Sequence, residues 1–128
     1  MISLVDDDDG VREGTANLLR SLGYEVRTFG SGRDLLDWGD LNHASCVITD
    51  IMMPEIDGFE LHRRLVRGGY RFPIIFLTAL TDPVAKSRMR ECGVHSILIK
   101  PCSEQKLLDC VRSALDREIG PASGPTTS

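Results

Sequence analysis

The run Ile2-Ser3-Leu4-Val5, closed by Asp6-Asp7-Asp8-Asp9, decides the fold. The first half is a strand-length, mostly apolar run; the second is a block of acids that cannot continue it. The pattern recurs along the chain. Cys46-Val47-Ile48-Thr49 ends at Asp50, Ile74-Ile75-Phe76-Leu77 ends at Thr78, and Ile97-Leu98-Ile99 ends at Lys100-Pro101. Short continuous apolar runs read as strands buried on both faces. Each of these delivers a polar group at its carboxyl end, where ligand sites form on an open parallel sheet. Acids, a hydroxyl and an amine on one rim point to an oxyanion and a divalent cation.

Between the strands lie helical patterns, and strand and helix alternate five times. A helix is expected over 10–22, with Val11, Thr15, Leu18 and Leu22 on one stripe and Gly23 closing it. Tyr24 to Phe29 forms the second strand. Ser31 caps a short helix that runs to Trp38, with Asp34 three residues on. The third strand is 45–49. Pro54 excludes a continuous helix through the loop from Asp50 to Asp57. Asp57 caps a helix over Gly58–Val66, and Gly68-Gly69 stops it.

The fourth strand is 74–77. Asp82-Pro83 starts a helix that ends near Cys92-Gly93. The fifth strand is 96–99. Ser103, Glu104 and Gln105 open a last helix whose Leu107, Leu108, Val111, Leu115 and Ile119 form an apolar stripe. Strand–helix repeats with short links give an α/β fold, a doubly wound and mainly parallel sheet with helices on both faces. Several strand orders satisfy this pattern. Residues 1–119 form one domain, and the Gly/Pro/Ser/Thr-rich stretch 120–128 reads as a linker or terminal tail.

Composition sets outer bounds. A chain of 128 residues with 41 % hydrophobic and 27 % charged residues fits one globular domain with a real core. A net charge of −4 disfavours general nucleic-acid binding by this chain itself. The apolar runs are too short to span a membrane, and the N-terminus lacks a signal-type segment, so no membrane role and a cytoplasmic location are expected. The four cysteines include no C-x-x-C pair, and His43, His62 and His95 show no metal-ligand spacing. The cysteines therefore read as structural thiols.

A nucleotide cradle is excluded by the acids themselves. No G-x-G-x-x-G follows the first strand, and no Walker-type lysine motif is present. Asp6 or Asp7 with Asp50 instead suits magnesium, a hard ion that takes oxygen ligands at about 2.1 Å. An Asp carboxylate can accept a phosphoryl group covalently. Lys100 and Thr78 then offer a charge and a hydroxyl to the phosphoryl oxygens. Asp8 and Asp9 read as capping or solvated acids.

The stretches VDDDDGVR (5–12), TDIMMPEIDGFEL (49–61), IIFLTA (74–79) and LIKP (98–101) resemble the receiver domain of a two-component response regulator. Within that family they resemble the nitrogen-fixation and nodulation-type transcriptional regulators. The resemblance implies a flavodoxin-like receiver fold of five parallel strands in the order 2-1-3-4-5. It implies Asp50 as phosphoacceptor and Mg2+, with Mn2+ as a substitute, on Asp6, Asp7, Asp50 and the backbone carbonyl of Met52. It implies Thr78 as switch hydroxyl, Lys100 as phosphate-sensing amine and a cis Lys100–Pro101 bond. The implied partners are a sensor histidine kinase, a phosphorylation-favoured homodimer and, through a C-terminal output domain, DNA.

Four positions depart from the family pattern. Ile97 stands where an aromatic switch is usual. Cys102 replaces the aromatic after Lys-Pro. Met52 replaces a residue that is often arginine. Leu80, two residues past Thr78, offers no polar group to attacking water, which implies slow hydrolysis. The face of the helix over 83–92, the fifth strand and the last helix would carry the readout. Lys86, Arg88, Arg90, Glu91, His95, Asp109, Arg112 and Asp116 are there either as solvated surface or as dimer contacts.

Two other functions fit parts of the pattern. An Asp-nucleophile magnesium phosphatase would use the same ion and intermediate. It needs a second Asp two residues beyond the nucleophile, where Met52 stands. A phosphorylation-independent interaction domain of the same fold would not need the full set Asp6, Asp7, Asp50, Thr78 and Lys100. No conventional enzyme activity is expected beyond self-phosphorylation from a donor and autodephosphorylation.

Overall fold

A computed structural model of the chain describes residues 1–79, 87, 88, 91 and 94–123. The elements run β1 (Ile2–Val5), α1 (Asp9–Ser21), β2 (Val26–Phe29), α2 (Gly32–Asp37), a 3-10 turn (Leu41–His43), β3 (Cys46–Thr49), α3 (Gly58–Arg67), β4 (Ile74–Thr78), β5 (Ser96–Ile99) and α4 (Glu104–Ser123). All strands pair in parallel, in the order β2-β1-β3-β4-β5. This is the five-stranded flavodoxin-like receiver arrangement. Among the described residues no helix is long and apolar enough to cross a membrane.

The central strands are buried on both faces, so each strand feeds two cores by alternation. Ile2 and Leu4, Cys46 and Ile48, Ile75 and Leu77 point to one side, where they meet Ala16 and Leu19 of α1 and Leu107, Cys110, Val111 and Ala114 of α4. Val5, Val47, Ile74 and Phe76 point to the other, against Leu35 of α2 and Phe59, Leu61 and Leu65 of α3. Each fully buried aliphatic or aromatic side chain contributes about 1.5–3 kcal/mol. β5 is an edge strand and is half-buried along its length.

The helix starts expected at Ser31, Asp57 and Ser103 all form. Ser31 Oγ accepts the Asp34 N–H at 3.1 Å, Asp57 Oδ1 accepts the Glu60 N–H at 2.8 Å, and Ser103 Oγ accepts the Lys106 N–H at 3.1 Å. Each satisfies an orphan donor of the first turn, worth about 1 kcal/mol. Gly23, at φ 96°, and Gly69, at φ 85°, follow α1 and α3 in the left-handed conformation that glycine tolerates.

Three expectations change. The buried stripe of α1 is Ala16 and Leu19; of the expected stripe, Leu18 packs against the same core, Val11 and Thr15 are half-buried like Arg12, and Leu22 is exposed. Side-chain size directs attention to the larger apolar residues, but small Ala16 is fully buried in the core. β2 begins at Val26, because Tyr24 is still turning out of α1 with its N–H on the Leu19 carbonyl. α4 continues to Ser123, past Gly120 and Pro121. Proline removes one donor and crowds the carbonyl four residues before it, a cost borne here only in the last turn of the helix. The helix expected over 83–92 lies outside the described residues except at Ser87, Arg88 and Glu91, and so does Leu80.

Candidate functional site

Register alone brings the acids together. Val5 pairs with Thr49, so Asp6 and Asp50 leave adjacent strands at the same level. The Asp50 N–H donates to the Val5 carbonyl at 3.1 Å, and the Asp6 N–H donates to Phe29 at 3.1 Å. On the other side, Thr78 pairs with Ile99, and the Lys100 N–H donates to the Thr78 carbonyl at 2.8 Å. One rim therefore carries the ends of β1, β3, β4 and β5.

One carboxylate oxygen each from Asp6, Asp7 and Asp50 lies within 4.8 Å of the others. Three hard oxygen donors in that space can coordinate a divalent cation. Asp6 is buried, Asp50 half-buried and Asp7 exposed, so the cluster opens to solvent on the Asp7 side.

Lys100 closes the cluster from the β5 side. Its Nζ lies 2.8 Å from Asp6 Oδ2 and 3.1 Å from Asp50 Oδ2. Burial works against the ammonium charge, but hydrogen bonds to Asp6 and Asp50 and their negative charge outweigh it, and the Lys100 pKa is raised above its ordinary value. The remaining oxygens are used by the backbone. Asp50 Oδ1 accepts the Ile51 N–H at 2.7 Å, with the Met52 N–H at 3.4 Å. Asp6 Oδ1 accepts the Asp8 N–H at 2.9 Å. Asp50 is thus fixed by one oxygen, while the other faces the amine.

The loop from Asp50 to Asp57 returns to the rim because Gly58 lets it. The Gly58 N–H donates to the Ile51 carbonyl at 2.8 Å, and a Cβ there would lie 2.6 Å from the Asp50 carbonyl oxygen and 2.8 Å from Ile51 Cα. Only hydrogen fits. The expected cis Lys100–Pro101 bond is present.

Side chains of Asp6, Asp7, Asp50 and Lys100 meet directly. Thr78 is fully buried at the end of β4 and joins the group through its main chain, and Met52 joins through its amide while its side chain is 63 % exposed. Asp8 caps α1 by accepting the Val11 N–H at 3.0 Å, and Asp9 pairs with Arg12 at 2.6 Å, so neither acid belongs to the cluster. Cys46 and Cys110 lie in the α1/α4 core and Cys102 packs against it, none of them in a disulfide.

The sequence reading passed over Gly58 and Arg12. Gly58 carries no functional group, so only tertiary contact reveals its part. Arg12 has a signal, since it stands four and seven residues before Ala16 and Leu19 and so shares their inward face.

A family model described as the response regulator receiver domain matches residues 2–112. The transcriptional regulatory protein TdiR of Thauera aromatica is 37 % identical over 114 residues, covering 89 % of this chain and 50 % of TdiR. Nodulation protein W of Bradyrhizobium diazoefficiens is 35 % identical over 118 residues, covering 92 % of this chain and 52 % of that protein. The chain spans about half the length of these curated relatives. The solved structure of the response regulator StyR superposes with a TM-score of 0.86 at 36 % identity, covering 95 % of this chain and 62 % of StyR. With the strand order, the acid cluster and the lysine at the rim, the chain belongs to the response regulator receiver domain family of two-component signalling proteins.

Proposed function

We propose that this domain accepts a phosphoryl group on Asp50 from a sensor histidine kinase and thereby switches an output. The observation that carries the reading is the convergence of Asp50 with Asp6, Asp7 and Lys100. A carboxylate oxygen of Asp50 attacks phosphorus. The P–O bond forms as the P–N bond to the donor imidazole breaks, and that nitrogen leaves with the electron pair. Asp6, Asp7, Asp50 and the Met52 carbonyl would hold Mg2+, for which Mn2+ can stand in. The ion supplies charge neutralisation for the entering group. Lys100 turns from the carboxylates to the new phosphoryl oxygens, and Thr78 donates its hydroxyl to one of them.

The exposed Met52 argues for this reading over the Asp-nucleophile phosphatase. A thioether two residues beyond the nucleophile cannot perform acid–base catalysis. Leu80, two residues past Thr78, offers no polar group to attacking water, which supports slow autodephosphorylation. The domain fits a cytoplasmic transcriptional regulator of the nitrogen-fixation and nodulation-type branch. Its receiver unit is 1–119, and DNA binding resides in a C-terminal output domain. TdiR is named a transcriptional regulatory protein and this chain covers half of it, which leaves room for such an output domain. Phosphorylation favours a homodimer through β5 and the segment before it, by shifting a two-state population. Sedimentation with a stable phosphate mimic tests the dimer, and unchanged association rejects it.

Intact mass after treatment with acetyl phosphate tests the chemistry. Wild type with Mg2+ gains one phosphoryl group, Asp50→Asn gains none, and chelation abolishes the gain. A label mapped to Asp57 overturns the assignment.

A further inference from the structure

Asp6 is held at every polar atom. Its N–H donates to Phe29, its Oδ1 accepts from Asp8, and its Oδ2 accepts from Lys100. Its carbonyl oxygen accepts from Arg12 Nη1 at 2.7 Å. That last contact holds the peptide between Asp6 and Asp7, the two residues whose carboxylates join the cluster. Arg12 is itself anchored. Its Nη2 pairs with Asp9 Oδ1 at 2.6 Å, and its Nη1 lies 3.6 Å from where a Cβ on Gly30 would stand. The side chain is 15 % exposed, and it enters from the same inward face of α1 as Ala16 and Leu19.

We propose that Arg12 is a positioning residue for the divalent-cation site, locking the 6–7 peptide so that Asp6 and Asp7 face Asp50. The inference rests on the metal reading given above. Two effects of the guanidinium oppose each other. Its charge repels a cation, so removing it would tighten binding. Its hydrogen bond orders two ligands, so removing it would weaken binding. Asp9 cancels most of the charge from 2.6 Å away, and Asp9 is 88 % exposed, so what remains is screened by solvent. The hydrogen bond is directional and half-buried, and it survives that cancellation. Positioning therefore outweighs repulsion. Arginine suits the task because its rigid fork reaches a carbonyl and a carboxylate together, which a lysine amine does not.

Calorimetric titration of MgCl2 into wild type, Arg12→Ala, Arg12→Lys and Asp9→Asn decides the matter, with unfolding temperatures measured alongside in chelator. Arg12→Ala should weaken Mg2+ binding about tenfold, the scale at which groups supporting metal ligands act. Arg12→Lys should recover part of the loss, and Asp9→Asn should change affinity far less. Phosphoryl uptake from acetyl phosphate should fall at low Mg2+ and return to the wild-type rate at saturating Mg2+. Unchanged or tighter binding in Arg12→Ala overturns the inference. If that variant does not fold, Arg12→Lys with wild-type affinity overturns it equally. A wild type that binds no Mg2+ overturns the metal reading first, and the two failures are thereby distinguished.

Discussion

The two faces of the sheet are built from different materials. The chain has four phenylalanines, two tyrosines and one tryptophan, and all but Tyr24 pack on the α2/α3 side. There Phe76 meets Phe59 edge to face at 5.6 Å and His62 at 6.4 Å, while Phe29 meets Trp38 at 5.3 Å. The α1/α4 side uses Ala16, Ala114, Cys46 and Cys110 among its aliphatics. Small residues let helices pack close to strands; on the α2/α3 side rings fill the core instead. The loop after Asp50 belongs to the aromatic side, since Ile51, Met53 and Ile56 are part of that core. The acid loop after β1 instead leans on α1 through Arg12 and the Asp8 cap. The site is assembled where the two packings meet.

Phe76→Ala should break the aromatic side most severely. Phe76 is fully buried and touches two other rings, so its truncation should cost about 3–5 kcal/mol in denaturant unfolding. A loss below about 1 kcal/mol would mean that this face collapses freely and is not ring-packed.

Gly58→Ala should come next, at roughly 2–3 kcal/mol, because the atoms its Cβ meets are backbone and cannot rotate away. It should also slow phosphoryl uptake, since the displaced backbone is that of Asp50. A stability loss with unaltered uptake would separate the loop from the site.

Ala16→Leu probes the other face. Overpacking there should cost about 1–2 kcal/mol, measured the same way. A neutral or stabilising result would show that α1 does not need its small residue.

The smallest effect should be a pH dependence from Lys100, which touches both loops. Its folded pKa is raised above the ordinary 10.5. The stability it contributes is therefore fully present below the unfolded pKa and is lost as pH rises through the folded one. Denaturant midpoints of wild type and Lys100→Met should converge across that alkaline window. Parallel curves would show that the ion pairs with Asp6 and Asp50 add nothing.

Much of the site is legible in the residue order. A strand that ends in acids, a second that ends in Asp50 and a last that ends in Lys100 need only a parallel sheet to bring them together. Helix starts at Ser31, Asp57 and Ser103 are legible because a cap acts within three residues. Less legible is the full face that α1 presents, since Leu22 looks more apolar than Ala16, yet Ala16 is buried and Leu22 is exposed. Arg12 escaped notice for the same reason, because a charged residue on an inward face makes sense only once its carbonyl partner is in view.

The sequence by itself therefore determined the α/β alternation, the chemical character of the rim and the ends of most helices. These depend on neighbours a few residues apart, and local propensity and capping act at that range. Only the tertiary structure decided the closeness of Gly58 to Asp50, the bridge of Lys100 across Asp6 and Asp50, and the hold of Arg12 on the Asp6 carbonyl. Each depends on where separate strands and helices come to rest, and that is settled by packing across the sheet.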